Sequence, residues 1–376
     1  METYRFHVEG ADQAVFVAWR DLKFAKGRFA LMGTVIVLIT LLVGLLSGLT
    51  AGLGQQNISA ITGLPADKIA FQAPADGGDL SYSNSTVTAE QWQRWSKAPG
   101  VESAEPLGIT TTKATAGDRS TGVSAFGVAP GSHLAPDGGR IDDRSVVLST
   151  AAADDLGLAP GDSFIVAGQR LTAAAVRGDA SFSHTPVIWT SLNTWQKIAP
   201  PADNGDRPTA TVIALNTTSG ADVAATDKRA GTKTVSTGDS LSAIGSYTSE
   251  NGSLQMMRGF LFAISALVIG AFFTVWTIQR SGDIAVLKAL GASTATLLKD
   301  ALGQAVVLLV GGTLVGTGIA AAVGALVVGS AVPFLLTPAT VLVPAAVMIL
   351  LGVLGAALSV RRITSVDPLT ALGSAR

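Results

Sequence analysis

Residues 301–360 read ALGQAVVLLVGGTLVGTGIAAAVGALVVGSAVPFLLTPATVLVPAAVMILLGVLGAALSV, with Lys299 and Asp300 before them, Arg361 and Arg362 after them, and no charged side chain between. A charge at the centre of a bilayer costs roughly 2.5 kcal/mol or more, so an uncharged apolar run of this length reports lipid as its solvent. The run is too long for one span. Pro333 and Pro338, with Thr337 between them, supply the break, because proline lacks the N–H a continuing helix needs. The spacing predicts two membrane helices, over 301–332 and 339–360, joined by a short external turn at 333–338.

Working outward, two further apolar stretches reach the roughly 20 residues a spanning helix requires, one at 30–54 and one at 256–279. The first follows several basic residues but exceeds the h-region of a signal peptide, about 7–15 residues, and Gly52 to Gln56 offers no small-x-small cleavage site; it reads as a retained anchor. Lysine and arginine collect at one set of helix ends: Arg20, Lys23, Lys26 and Arg28, then Arg280, Lys288 and Lys299, then Arg361 and Arg362. Cytoplasmic flanks keep such charge. Both termini are therefore expected in the cytoplasm of a multi-pass protein of the cell membrane. The expected order is an amphipathic elbow helix at 1–29, a first span at 30–54, an extracellular domain at 55–255, a second span at 256–279, a cytoplasmic loop at 280–300, the hairpin, and a cytoplasmic tail at 361–376. The fold class is membrane α-helical, with four transmembrane helices in a one-plus-three layout and an α+β extracellular domain inserted between helices one and two.

Composition agrees: the chain is 48% hydrophobic and only 14% charged, which is unusual for a soluble globular domain. A net charge of −1 gives no basic field for nucleic acid. The absence of cysteine removes disulfides, thiolate metal sites and cysteine nucleophiles together. Within the insert, a helical stretch at Thr88–Lys97 with Trp92 and Trp95 alternates with strand-like runs at Ser145–Leu148, Ser163–Val166, Pro186–Trp189 and Thr209–Leu215. His133 and His184 read as isolated residues there, and Asp142-Asp143 and Asp154-Asp155 as turn and cap acids rather than a catalytic pair.

Three stretches outside the insert carry a more specific pattern. Ala18-Trp19-Arg20-Asp21-Leu22 runs towards Lys26-Gly27-Arg28. Arg280-Ser281-Gly282-Asp283-Ile284-Ala285-Val286-Leu287-Lys288-Ala289-Leu290-Gly291-Ala292-Ser293 follows the second span. Asp367-Pro368-Leu369-Thr370-Ala371-Leu372 follows the Arg361-Arg362 pair. Together with the layout, these resemble the FtsX-like permeases, specifically the MacB-type (type VII) ABC transporters; Asp283 stands where that family usually has Glu. The resemblance implies a non-catalytic permease whose loop residues Arg280, Asp283, Ile284, Leu287, Lys288, Leu290 and Gly291 form a coupling helix docked on a separate ABC ATPase dimer. No G-x-x-x-x-G-K-[ST] loop occurs in the chain, so ATP and Mg belong to that partner and the chain carries no cofactor of its own.

Gly44, Gly48 and Gly52 recur every fourth residue on the first span. Such a stripe lets another helix approach closely, either from a second copy of the chain or from within the same one; the family's homodimeric architecture favours the first and offers a slot for substrate. At the start of the second span, Tyr247, Glu250, Met256, Met257 and Arg258 gather two of the five methionines with a carboxylate, a phenol and a guanidinium. Thioether, carboxylate and phenolate can each ligate haem iron, and arginine can pair with a propionate. The compact form resembles the haem-regulated transporter permeases of Gram-positive bacteria. On that likeness the substrate is haem or a similar amphipathic molecule, its iron held by Met256, Met257 or Glu250, with no permanent metal. The alternatives are a MacB-like peptide, lipoprotein or antimicrobial exporter, and an FtsX-like signalling protein that switches a cell-wall hydrolase.

Overall fold

The computed structural model describes residues 26–74, 77–200, 209–279, 282, 286, 291, 293–327, 329 and 332–364. In chain order its elements begin with α1 (Lys26–Thr62), β1 (Lys68–Gln72), α2 (Ala89–Ser96), β2 (Val101–Ala116), β3 (Arg119–Val128) and β4 (Ser145–Leu148). Next come α3 (Thr150–Leu156), β5 (Ser163–Val166), β6 (Gln169–Val176), β7 (Ser181–Phe182), β8 (Thr185–Ser191) and α4 (Leu192–Ile198). They are followed by β9 (Val212–Thr217), α5 (Val223–Ala230), β10 (Thr232–Ser236), α6 (Gly245–Gln279), α7 (Thr294–Val327) and α8 (Pro338–Thr364). Two compact units result. One is residues 53–253, and the other is made of the described residues before Leu53 and after Ser253.

In the helical unit, four helices are long and apolar enough to cross a membrane: Ala30–Thr62, Gly245–Gln279, Ala301–Val327 and Pro338–Ser359. Their interior is apolar, with Ile36, Phe273, Trp276 and Leu309 buried, but so is their outer surface, unlike that of a soluble bundle. Large apolar residues face outward on every helix, among them Leu38, Leu267 at 72% exposure, Leu326 at 85% and Leu358, whereas Thr40, Ser47, Ala305, Ala320 and Ala356 are buried. A surface this apolar is stable only against hydrocarbon, and small buried residues let helix backbones close on one another where lipid gives no hydrophobic drive. The protein is a membrane protein.

Hydropathy marks where lipid ends, and the helices do not stop there. α1 runs on to Thr62 rather than 54, and α6 begins at Gly245 rather than 256, straight through Gly252. The added turns are kept helical by packing in the other unit, where Ala60 and Ile61 are buried and Tyr247 lies against the same core. α7 ends at Val327 rather than 332; Gly329 follows with φ +84°, a left-handed position that ends helices cheaply only with glycine. α8 starts on Pro338, the first-turn position where a missing N–H costs nothing. Thr337 caps it, its Oγ1 accepting from Thr340 N at 3.2 Å while Thr340 Oγ1 accepts from Thr337 N at 2.9 Å.

The glycine stripe corrects a second expectation. A Cβ on Gly44 would sit 2.8 Å from Ala320 of α7, one on Gly48 2.2 Å from the Phe334 ring, and one on Gly52 2.1 Å from the Pro333 carbonyl oxygen. Leu335 N also donates to the Gly48 carbonyl at 3.0 Å. The stripe is therefore filled by the chain's own α7 and α7–α8 connection, and in this structure it is neither an open slot nor a face free for a second subunit.

The second unit is a ten-stranded mixed sheet in the order β10-β1-β9-β2-β3-β8-β4-β6-β5, with β7 on β8. β2 is long enough to serve twice: Val101–Leu107 pairs with β9, and Gly108–Ala116 with β3. Its end also meets β5 at Ala114 and Thr115, so six strands close into a ring. The strands at 145–148 and 163–166 fall where alternation predicts them. α2 fills the predicted Thr88–Lys97 stretch, capped at Thr88 by a reciprocal bond with Gln91. Trp95, fully buried, donates its Nε1–H to Thr232 Oγ1 at 2.9 Å, and Trp92 to the Ala104 carbonyl at 2.8 Å. Those bonds let Trp95 be fully and Trp92 partly buried without leaving either indole N–H unpaired. The acid pairs behave as turn and surface groups: Asp142 Oδ1 accepts from Arg144 N and Ser145 N at 2.7 and 2.8 Å, which holds its carboxyl below the usual range.

Candidate functional site

Of the five residues proposed for the ligand, all lie on α6, but the helix does not gather them. At 100° per residue, Tyr247 and Arg258 come to one side and Met256 to the opposite side. Met257 lies roughly in line with Glu250, about 10 Å along the axis at 1.5 Å per residue. One iron cannot take a methionine and Glu250 from the same chain across that gap. Met256 and Met257 are 63% and 48% exposed and head an open apolar face continued by Phe260, Ile264 and Leu267. Arg258 Nε is buried with no hydrogen-bond partner among the described residues. Tyr247 is half-buried against the core of the sheet unit.

Glu250 is engaged inside the sheet unit, where the structure corrects the reading of His184 as isolated. His184 Nε2 lies 2.8 Å from Glu250 Oε2. An ionised carboxylate can only accept, so that ring nitrogen carries the proton. With the proton there, that nitrogen cannot also accept, so the Asn57 amide donates to Glu250 Oε2 at 3.5 Å and merely lies 3.1 Å from the ring nitrogen, while Asn57 Oδ1 accepts from Ser246 Oγ at 2.7 Å. Ser246 in turn meets Ser183 Oγ at 2.8 Å. Asn57 is buried at 1% exposure, which a side-chain amide tolerates only when its donors and acceptor are used.

The backbone that presents His184 is unusual. Ser183 and His184 have φ of 50° and 63°, left-handed values that cost a non-glycine residue about 1–2 kcal/mol each. The tight β7–β8 turn is held there by α1: Ser183 N donates to the Asn57 carbonyl at 3.0 Å and His184 N to the Gln56 carbonyl at 3.2 Å. Ser59 Oγ bonds both Ser181 N and Ser181 O, at 2.9 and 3.3 Å. Sequence reasoning missed Asn57 and His184 because they stand 193 and 66 residues from Glu250; two polar residues in tandem at the tip of a very short hairpin were the available signal.

A separate open groove of about 490 Å³ in the sheet unit is bordered by His133, Arg177, Asp179 and Trp189. Arg177 is paired there with Asp137 at 2.8 Å. No group of three or more metal-ligating side chains occurs among the described residues. Arg280, Asp283, Ile284, Leu287, Lys288 and Leu290 of the expected coupling helix lie outside the described residues. Gly291 is described and has φ +93°, and the adjacent Ser293 caps α7 through Thr296 N at 3.2 Å.

Comparison with known proteins fits this division of the chain. Residues 29–233 match the MacB-like periplasmic core domain, and residues 256–368 match the FtsX-like permease C-terminal family. A candidate hemin transport system permease protein of Staphylococcus haemolyticus, HrtB, is 25% identical over 95% of this chain and 99% of its own length. The uncharacterised ABC transporter permease Rv2563 of Mycobacterium tuberculosis is 26% identical over 96% of this chain and 99% of its own. Among solved structures, the extracellular domain of the noncanonic ABC-type transporter YknZ from Gram-positive bacteria aligns with 46% of this chain and 98% of its own length, at 12% identity and a TM-score of 0.33. With a core-domain match over more than half of its length and a permease match over most of the remainder, the chain belongs to the MacB-type, FtsX-like family of ABC transporter permeases.

Proposed function

We propose that this chain is the membrane half of an ATP-driven exporter that expels haem, or a molecule of the same flat amphipathic character, from the cell membrane. The observation that carries the reading is the open face at the start of the second span, where two adjacent thioethers and Phe260 are exposed; Arg258, whose buried Nε has no hydrogen-bond partner among the described residues, lies across the helix from Met256. Thioethers are soft iron ligands, an aromatic ring stacks on a porphyrin, and a guanidinium pairs with a propionate. The 25% identity to the candidate hemin transport permease of S. haemolyticus over nearly the whole chain supports a substrate of that class. Because Met257 and Glu250 are too far apart to share one iron, a second copy of the chain supplies the opposite ligand, across a homodimer that encloses the ligand between open α6 faces. Energy comes from an ABC ATPase partner gripping the loop at 280–291, and both termini and that loop are cytoplasmic.

Hemin titrated into the purified full-length chain in lipid nanodiscs tests this reading. A shifted Soret band in the wild type that is lost in Met256→Ala/Met257→Ala supports it, whereas an unshifted wild-type spectrum, or one unchanged in the double variant, removes the assignment.

A further inference from the structure

We propose that the Ser183–His184 turn is a latch on Glu250: it occupies the carboxylate in the empty protein, and a ligand reaches Glu250 only after His184 has let go. This rests on Glu250 belonging to the ligand site proposed above. The contact runs through side chains from three segments far apart in the chain. Asn57 is on α1, His184 at the tip of the β7–β8 turn and Glu250 on α6, and the imidazole and amide both reach the same carboxylate oxygen.

Three features make the contact a latch rather than a buried structural pair. The Glu250 and His184 side chains remain 44% and 29% exposed, so an incoming group can compete for them from solvent. The two residues that present the imidazole hold left-handed backbone, a conformation that persists only while surrounding bonds enforce it. Those bonds come from α1, through the Gln56 and Asn57 carbonyls and Ser59, so a small rotation of α1 withdraws the support of the turn and the Asn57 amide together. His184 and Asn57 are thus positioning residues: they set whether Glu250 is available and need not touch the ligand themselves.

The test uses the full-length chain in lipid nanodiscs with hemin as the probe, read from the Soret band. The chain has no cysteine, and Ser183 Oγ and Ser246 Oγ are 2.8 Å apart, so Ser183→Cys/Ser246→Cys closes the latch with a disulfide against no background. His184→Ala, which removes a charge-assisted bond to Glu250, is expected to tighten hemin binding about tenfold or more. The oxidised cysteine pair is expected to weaken it at least tenfold and to recover on reduction, and Glu250→Gln to lose the contribution of the carboxylate. If wild type and Glu250→Gln bind equally, or wild type does not bind, the ligand reading has failed and the latch falls with it. If Glu250→Gln weakens binding while His184→Ala and the oxidised pair both match wild type, the latch alone is overturned. Failure of the cysteine pair to oxidise overturns it as well, because the turn is then not where the latch requires it.

Discussion

Replacing Gly48 by alanine tests how the helical unit is built. The new Cβ would lie 2.2 Å from Phe334 Cζ and 2.5 and 2.6 Å from two further ring atoms, against the 3.4 Å or more of ordinary contact. The ring would have to retreat by about 1.2 Å, the difference between those distances. It has little room to do so, since a Cβ placed on Gly324 comes within 2.4 Å of the same ring. Overpacking of this kind costs about 1–3 kcal/mol. Gly33, with nothing within 4 Å of its Cβ position, is the control; there alanine should be neutral or mildly stabilising, as helix propensity dictates. Thermal unfolding of the purified chain in nanodiscs, followed by intrinsic tryptophan fluorescence, measures both. Shrinking the ring in the Gly48→Ala background, with Phe334→Ala, should cost less than the sum of the single changes, with a coupling of about 0.5–3 kcal/mol. A Gly48→Ala protein within about 0.5 kcal/mol of wild type, or strict additivity with Phe334→Ala, would refute the claim that this chain fills its own stripe.

Three further outcomes follow from features of the sheet unit and the membrane topology. Tyr82 is buried and donates to Ser240 Oγ at 2.9 Å. Burial pushes its phenol well up; its contribution to stability is complete below the unfolded value near 10 and is lost as pH rises beyond it. Phenolate absorbance at 295 nm should therefore show one of the three tyrosines ionising only with unfolding, and a normal titration of Tyr82 would contradict the burial argument. Asp142, whose carboxylate accepts the Arg144 and Ser145 amides, has its folded value lowered. Its contribution is present above the usual carboxylate range and fades as pH falls through the folded value. Carboxyl NMR should place its midpoint below that of a model aspartate, a lead that Arg144→Pro, which deletes the first amide, should shrink. Single cysteines introduced at Asn84 and Ser293 of this cysteine-free chain should react with an impermeant thiol reagent from opposite faces of the membrane; labelling from one face would sink the four-span topology.

The membrane fold was legible because charge is excluded over long windows, and no packing detail is needed to see that absence. Strands at 145–148 and 163–166 were legible for a related reason: alternation and turn residues are local signals. Hydropathy and helix part company at Leu53–Thr62 and Gly245–Ser253, where composition gives no sign of the helical ends because a helix leaving lipid continues as long as something packs against it. The stripe at Gly44, Gly48 and Gly52 announced a close approach without saying of what, and Phe334 lies nearly three hundred residues away. In the candidate site, the pairing of two methionines at the start of the second span was readable; their exposure was not. The engagement of Glu250 was not, because it depends on where a two-residue hairpin tip lands against a distant helix.

The bond from Leu335 to Gly48, with Phe334 seated between Gly48 and Gly324, has a consequence for transport. It fuses the first span and the last hairpin into one mechanical part, riveted backbone to backbone at one end. Such a part would tilt or translate as a whole, since any movement that parts the first span from the last hairpin must first break this bond and unseat the ring.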